Sequence, residues 1–233
     1  MNSNEHFINQ APWAESLTPE QVKWVRAGLC ERQFKAGECV CKKGSVTNSW
    51  VGVIDGMVKL RTVSRAGKQA SLITGIPTGS WFGEGSLLKK ELRKYDVVAL
   101  RDSRIAFMSQ ATFFRLLEEN IAFNHFLLNH LNERLGQFIG FLEYDRLLSP
   151  DERVARSLAS MFNPHLYPGS QFELQISQEE LGSLAGVSRQ RVNQALHVLQ
   201  SADILSIQYG SILIKDVNAL QSFENESPND DSS

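Results

Sequence analysis

A chain of 233 residues with 42% hydrophobic content and a net charge of −2 is long enough to bury a substantial core in one or two domains. It holds no run of about 18 apolar residues, and its opening "MNSNEHFINQ" lacks a basic start followed by an apolar segment, so a membrane span and a signal peptide are not expected and a cytoplasmic protein with no membrane partner is. The three cysteines, Cys30, Cys39 and Cys41, have no metal-ligand spacing, and their odd number points to reduced thiols, not to a disulfide framework.

The first periodic segment, "TPEQVKWVRAGL", predicts a helix: Thr18 caps it, Pro19 suits its first turn, and Val22, Val25 and Leu29 fall on one face. From Phe34 to Ser109 the text becomes short apolar runs broken by glycine, such as "WVGVIDGMVKL" and "PTGSWFGEGSLL". Strand-length runs at that spacing, with Asp55-Gly56 among the turn signals, predict an antiparallel sandwich or barrel. Cys39 and Cys41 lie two apart in a strand-like run and should share a face. This β region contains no histidine, which removes the usual metal or acid-base set. No enzyme is expected, and no catalytic residue or metal ligand is assigned.

After Ser109 the period becomes helical. "QATFFRLLEEN" predicts a short helix, and "IAFNHFLLNHLNERLGQFIGFLEYDRLL" continues as a long one without proline. Leu128, Leu131, Leu135, Phe138 and Leu142 follow at steps of three, four, three and four, the seam of a coiled coil, and Leu127, Ile139 and Phe141 add a second apolar edge. This pattern predicts a dimer helix and hence a homodimer. Ser149-Pro150 ends it, because proline disfavours helix in the residue before it.

The next helical text, "ISQEELGSLAGVSRQRVNQALHVLQ", predicts two helices around a tight turn. Ser177 and Glu180 have capping-box spacing, Gly186 supplies the turn, and Gly182 and Ala185 are small where the helices approach. Ser188 caps the second helix and leaves Arg189, Gln190 and Arg191 projecting from an end that already carries partial positive charge. Such an end can enter the major groove, where arginine pairs with guanine and glutamine with adenine. The domain itself, residues 150–220, holds five Lys/Arg and seven Asp/Glu, so phosphate affinity must come from a local patch and from pairing two copies. "ILSIQYGSILIKD" predicts a β-hairpin wing around Tyr209-Gly210. The last residues, 221–233, carry four acids and no base and are expected to be a disordered acidic tail.

Taken in order, these parts resemble the family of the cyclic-AMP receptor protein and the oxygen regulator FNR, over about residues 15–220. The matching residues are Phe34 and Gly37, "VIDGMVK" at Val53 to Lys59, "FGE" at Phe82 to Glu84, Arg93 with Val97 and Ala99, and "GVSRQ" followed by Val192. The resemblance implies an α+β chain: an N-terminal cyclic-nucleotide-binding-like β-roll (jelly roll), a long dimerisation helix and a C-terminal winged helix-turn-helix. The implied domains are 1–119 with the N-terminal helix and sensor, 120–149 for dimerisation and 150–220 for DNA binding. The implied function is a dimeric, sequence-specific transcription regulator on double-stranded DNA, its operator an inverted repeat with half-sites about one helical turn apart.

The resemblance also carries site residues. Arg189 takes the guanine-reading position, Gln190 replaces a glutamate and Gln194 a second arginine, while Arg191, Ser177 and Ser188 fall where phosphate is reached. In nucleotide-binding members a Gly-Glu pair reaches the ribose, and an arginine followed by a hydroxyl residue holds the cyclic phosphate. Gly83, Glu84 and Arg93 match. Lys94 stands where the hydroxyl residue belongs, the segment between Glu84 and Arg93 is one residue short, and the pair offered to adenine falls at the apolar Phe138 and Ile139. Purine donors left unpaired in a closed site cost roughly 1–3 kcal/mol each, so cyclic AMP is not the expected effector. An internal Glu84–Arg93 ion pair is the expected content of the pocket. No cofactor is expected: the cysteine array of an iron-sulfur member is missing before Cys30, and His125 and His130 read as surface or packed histidines. Two alternatives stay open, a regulator holding cyclic AMP or cyclic GMP through Gly83, Glu84 and Arg93, and a scaffold of the same fold without DNA binding. The loop from Phe162 to Ser170 lies where relatives touch RNA polymerase, a further candidate partner.

Overall fold

The computed structural model describes residues 7–8, 10–63, 69–71, 75–169 and 172–224. By contact the chain forms two compact units, Met1–Ile139 with Met161–Ser170, and Gly140–Ser160 with Gln171–Ser233.

In the first unit, helix α1 (Pro19–Ala27) begins on a complete capping box in which Thr18 and Gln21 bond each other's backbone. Val25 is fully buried. Leu29, expected on the same helix face, instead opens strand β1 (Leu29–Phe34), because the helix stops at Gly28. A Cβ at Gly28 would lie 1.9 Å from the Thr112 hydroxyl, so the chain can turn there only without a side chain.

The strands β2 (Cys39–Cys41), β3 (Ser49–Asp55), β4 (Met57–Val63), β5 (Gln69–Ser71), β6 (Ile76–Pro77) and β7 (Trp81–Phe82) follow. A short helix α2 (Glu84–Leu88) then precedes β8 (Asp96–Ala99) and β9 (Ser103–Ser109). They build two antiparallel sheets, β1-β9-β3-β7 and β2-β8-β4-β5, with β6 paired to β4. β3 is buried along its length up to Asp55, as a strand covered on both faces must be. Gly56 makes the β3–β4 turn at φ +98°, where a side chain would also strike Ser103. Cys39 and Cys41 do not share a face as expected: the register shifts between them, leaving Cys39 exposed and Cys41 buried. Burial raises the Cys41 thiol above its ordinary pKa.

Trp50 on β3 is the hub of the core. It packs on Trp81 at 4.5 Å between ring centroids and meets Trp13, Phe113, Phe123 and Phe126 edge-on or tilted. Trp13 comes from a 3-10 turn at Pro12–Ala14, and Phe7 stacks on Trp81, so Phe7, Ile8, Ala11 and Trp13, ahead of Thr18, are part of the core.

Helix α3 (Gln110–Glu119) is capped by Ser109, and α4 (Ile121–Leu147) continues for 27 residues, about 40 Å at the standard rise. Along α4, Phe123, Leu127, His130 and Arg134 are buried at steps of four, three and four. Another face leaves Ile121, Leu128, Leu135 and Leu142 exposed at steps of seven, with Phe138 and Ile139 beside them. Leu131, assigned to the same seam, is partly buried against the core. Residues Met161–Ser170 complete this unit: Met161, Leu166 and Tyr167 are fully buried.

In the second unit, α5 (Pro150–Ala159) opens on a Ser149/Glu152 capping box with Pro150 in the first turn. A short strand β10 (Glu173–Leu174) leads to α6 (Gln178–Ala185), whose Ser177/Glu180 capping box is formed as expected. Gly186 sits at φ +68° and passes the chain to α7 (Arg189–Ser201), capped by Ser188. Gly182 is required there, since a Cβ would come within 2.8 Å of the Val187 carbonyl. The wing strands β11 (Leu205–Gln208) and β12 (Ser211–Ile214) pair around Tyr209-Gly210, with β10 added on the far side of β12. A last helix, α8 (Val217–Ser222), was not anticipated. Leu220 is buried and its carbonyl accepts from Arg156 at 2.7 Å, so Gln221 and Ser222 belong to a packed helix and not to the tail. Residues 225–233, the rest of the expected tail, lie outside the described residues.

Candidate DNA interface and effector site

The helix-turn-helix presents its first turn on a fixed frame. Ser188 accepts the Arg191 amide at 3.2 Å, which orients the start of α7 and leaves Arg189 and Gln190 exposed. Ser177 does the same for α6, accepting from the Glu180 amide at 3.1 Å. Each capping hydroxyl still has its own proton to donate outward. Arg191 and Gln194, one turn apart, are joined: the guanidinium donates to the Gln194 amide oxygen at 3.0 Å. A second nitrogen of Arg191 lies 3.3 Å from the Asp151 carboxylate, a contact invisible to local spacing because Asp151 stands 40 residues earlier on α5. At the wing tip Tyr209 is entirely exposed.

In the β-roll the residues matched to the nucleotide pocket divide. Gly83 adopts φ +91°, and a Cβ there would lie 3.2 Å from the Arg93 guanidinium. Glu84 and Arg93 are both buried, but the expected ion pair between them is not among the described contacts. Glu84 accepts from the Trp50 indole at 3.3 Å and faces the His130 imidazole at 3.8 Å. Arg93 donates to the Ser49 carbonyl at 3.2 Å. Neighbouring residues of β3 thus supply a donor for the carboxylate and an acceptor for the guanidinium. Lys94 points to solvent and pairs with Glu91 at 2.8 Å, which holds the Glu91 carboxyl below its ordinary pKa. Phe138 and Ile139 are exposed on α4.

Arg134, Tyr95 and Tyr167 around this cluster were not singled out in the sequence, and His130, read there as a surface or packed histidine, is packed. Arg134 is buried and donates to the Tyr167 hydroxyl at 3.0 Å, to Gln137 and to the Trp81 carbonyl. Tyr95, near Glu84, Arg93 and Arg134, has its pKa pushed up to about 12, by burial first and by Glu84 second. The Tyr167 hydroxyl also bonds Gln137 at 2.9 Å. His130, stacked on Phe126, has its pKa lowered from 6.5: burial outweighs the attraction of Glu84. Arg93, Arg134 and Glu84 are all buried around this cluster, two cations against one carboxylate. A lone arginine or histidine in the sequence carries no sign of such a distant partner; only the face shared by His130 and Arg134 with Phe123 and Leu127 could have shown that both are buried.

His130 makes stability pH-dependent. Because its folded pKa is depressed, the unfolded chain takes up the proton first as pH falls, so stability present above about 6.5 is lost on acidification. The unfolding free energy from urea titrations should fall between pH 7.5 and 5.5, by up to about 1.4 kcal/mol per pH unit, and His130→Gln should flatten that slope.

Residues 31–120 match the cyclic nucleotide-binding domain, and residues 152–223 the Crp-like helix-turn-helix domain. A nucleotide-binding-type β-roll carried with a Crp-like helix-turn-helix defines a DNA-binding transcription regulator. The chain is 28% identical to the cyclic AMP receptor protein of Thermus thermophilus, covering 91% of this chain and 95% of that one. It is 25% identical to the cAMP-activated global transcriptional regulator CRP of Pasteurella multocida, over 83% and 93%. The structure of FixK2 from Bradyrhizobium japonicum shares the fold at a TM-score of 0.69 and 15% identity, covering 85% of this chain and 98% of that one. The chain belongs to the CRP/FNR family of transcription regulators. Among the described residues no helix is long and apolar enough to cross a membrane, and no group of three or more His, Cys, Asp or Glu side chains could hold a metal ion.

Proposed function

We propose that the chain works in the cytoplasm as a homodimer that binds an inverted-repeat operator and does not take cyclic AMP as its effector. Residues 1–119 form the sensor, 120–149 the dimer helix and 150–220 the DNA-binding domain. The observation that carries the DNA reading is the capped start of α7, with Arg189 and Gln190 free for base edges. Ser177 and Ser188 donate to phosphate, and Arg191 reaches it with the edge of its guanidinium not turned to Asp151 and Gln194. Arg189→Ala should cost about 1–3 kcal/mol on the operator and relax one base position. Fluorescence anisotropy on operator and random duplexes checks this, and equal losses on both would remove Arg189 from base readout.

Dimerisation is supported by the heptad-spaced exposed face of α4. The effector reading is supported by Glu84, already engaged by Trp50 and His130, by Lys94 turned to solvent, and by the apolar Phe138 and Ile139. A second reading, cyclic AMP or cyclic GMP held through Gly83, Glu84 and Arg93, is favoured by the two buried cations against one carboxylate and by the names of the two curated relatives. Calorimetric titration of the purified chain with both nucleotides decides between them: no heat and unchanged operator affinity fit the first reading, and saturable binding fits the second. Polymerase contact through Phe162–Ser170 has little to work with, since Leu166 and Tyr167 are buried and only Pro164, His165, Pro168 and Gly169 are exposed among its described residues.

A further inference from the structure

We infer that Gln194 meets DNA as a hydrogen-bond donor only, and that Asp151 and Arg191 are the positioning residues that make it so, a role that rests on the DNA-binding reading of α7. Arg191 precedes Gln194 by three residues and therefore lies on the same face of the helix. Its guanidinium has donors and no acceptor, so the amide it contacts at 3.0 Å must turn its oxygen inward. The orientation of the amide is fixed by chemistry, and the NH2 group is the end left to face outward.

Asp151 keeps this arrangement in place. Its side chain is only 6% exposed and sits in the first turn of α5, where a helix end favours negative charge. The Arg191 side chain is 40% exposed, and an ion pair of two such exposed groups would contribute little. Here one partner is immobile, so the value of the contact lies in the direction it imposes on the guanidinium, and through it on Gln194.

The consequence is a change of code. A free glutamine recognises adenine by accepting from N6 and donating to N7 together. With its oxygen engaged, Gln194 can only donate, which suits guanine N7 and O6 or thymine O4; adenine offers it N7 alone, and the adenine and cytosine amino groups are left without an acceptor. Glutamine at this position therefore does not read adenine, contrary to its usual preference.

The test is selection of random duplex DNA by the full chain, with and without added cyclic AMP and cyclic GMP, for wild type, Gln194→Ala, Gln194→Glu and Asp151→Ala. The base position flattened by Gln194→Ala is the one this side chain faces. There the wild type should favour guanine or thymine over adenine by about tenfold. Asp151→Ala should release adenine to a similar extent. Gln194→Glu, which can only accept, should move the preference to cytosine or adenine. If Asp151→Ala loses its helical circular dichroism, Arg191→Ala on the surface of α7 reads the same release of adenine. Adenine preferred by the wild type, no position flattened by Gln194→Ala, or an unaltered base profile in folded Asp151→Ala or Arg191→Ala overturns the inference alone. A wild-type chain that enriches no motif under any condition overturns the DNA reading beneath it.

Discussion

Leu135→Arg should convert the protein to a monomer and lower its affinity for a full operator by about 10²–10⁴-fold, the gain that linking two half-site contacts provides. Leu135 is 57% exposed in the single chain, and it lies between Leu128 at 65% and Leu142 at 62%, each seven residues away. Seven-residue spacing keeps these side chains on one line along a helix, and Phe138 and Ile139 widen it into a face. A charge at its centre would be buried without a partner in the paired helices and solvated in the monomer, so the substitution acts on association and not on folding. Light scattering and circular dichroism should show a folded chain of half the mass. A variant that remains dimeric would put the interface on another surface.

Trp50→Ala should destabilise the first unit by about 3–5 kcal/mol, the usual cost of truncating a buried large aromatic. Two effects add. The cavity opens at the one side chain that touches Trp13, Trp81, Phe113, Phe123 and Phe126 together. The buried Glu84 carboxylate also loses its indole donor, and an unsatisfied buried acceptor costs about 1–3 kcal/mol by itself. Trp50→Phe helps to separate them, since it keeps an aromatic ring in the cluster and removes the N–H. Urea unfolding followed by circular dichroism measures both variants, and a loss below about 1 kcal/mol for Trp50→Ala would mean that the aromatic cluster relaxes around the gap.

What could be read from sequence was local. Thr18, Ser177 with Glu180, Ser188, Gly186 and Pro150 mark helix ends through bonds made within four residues, and each acts as expected. The alternation of short apolar runs and glycine likewise predicted an antiparallel sandwich or barrel, and the two antiparallel sheets are there. What escaped depends on partners far along the chain. Phe7 and Trp13 show no period that assigns them to a core, and distant rings give them their place: Trp81 for both, with Trp50 and Phe123 for Trp13. The face of Cys41 is decided by a bulge, where one extra residue cancels the alternation. Glu84 and Arg93 were matched to one site by motif, yet residues of β3 claim them separately. Helix α8 is too short to announce itself, and it holds through the Arg156 side chain, 64 residues from the carbonyl it binds.

The Tyr167 hydroxyl, bonded to Arg134 and Gln137, bears on how the gene can be recombined. The segment that carries it is encoded after α5 but packs with the β-roll, so no single crossover divides the coding sequence into two self-sufficient parts. A hybrid joined at residue 149 would import a foreign Tyr167 segment and leave a native Arg134 to accommodate it. Functional hybrids should therefore require residues 161–170 to come from the parent of the β-roll, as an island inside the other parent's DNA-binding region.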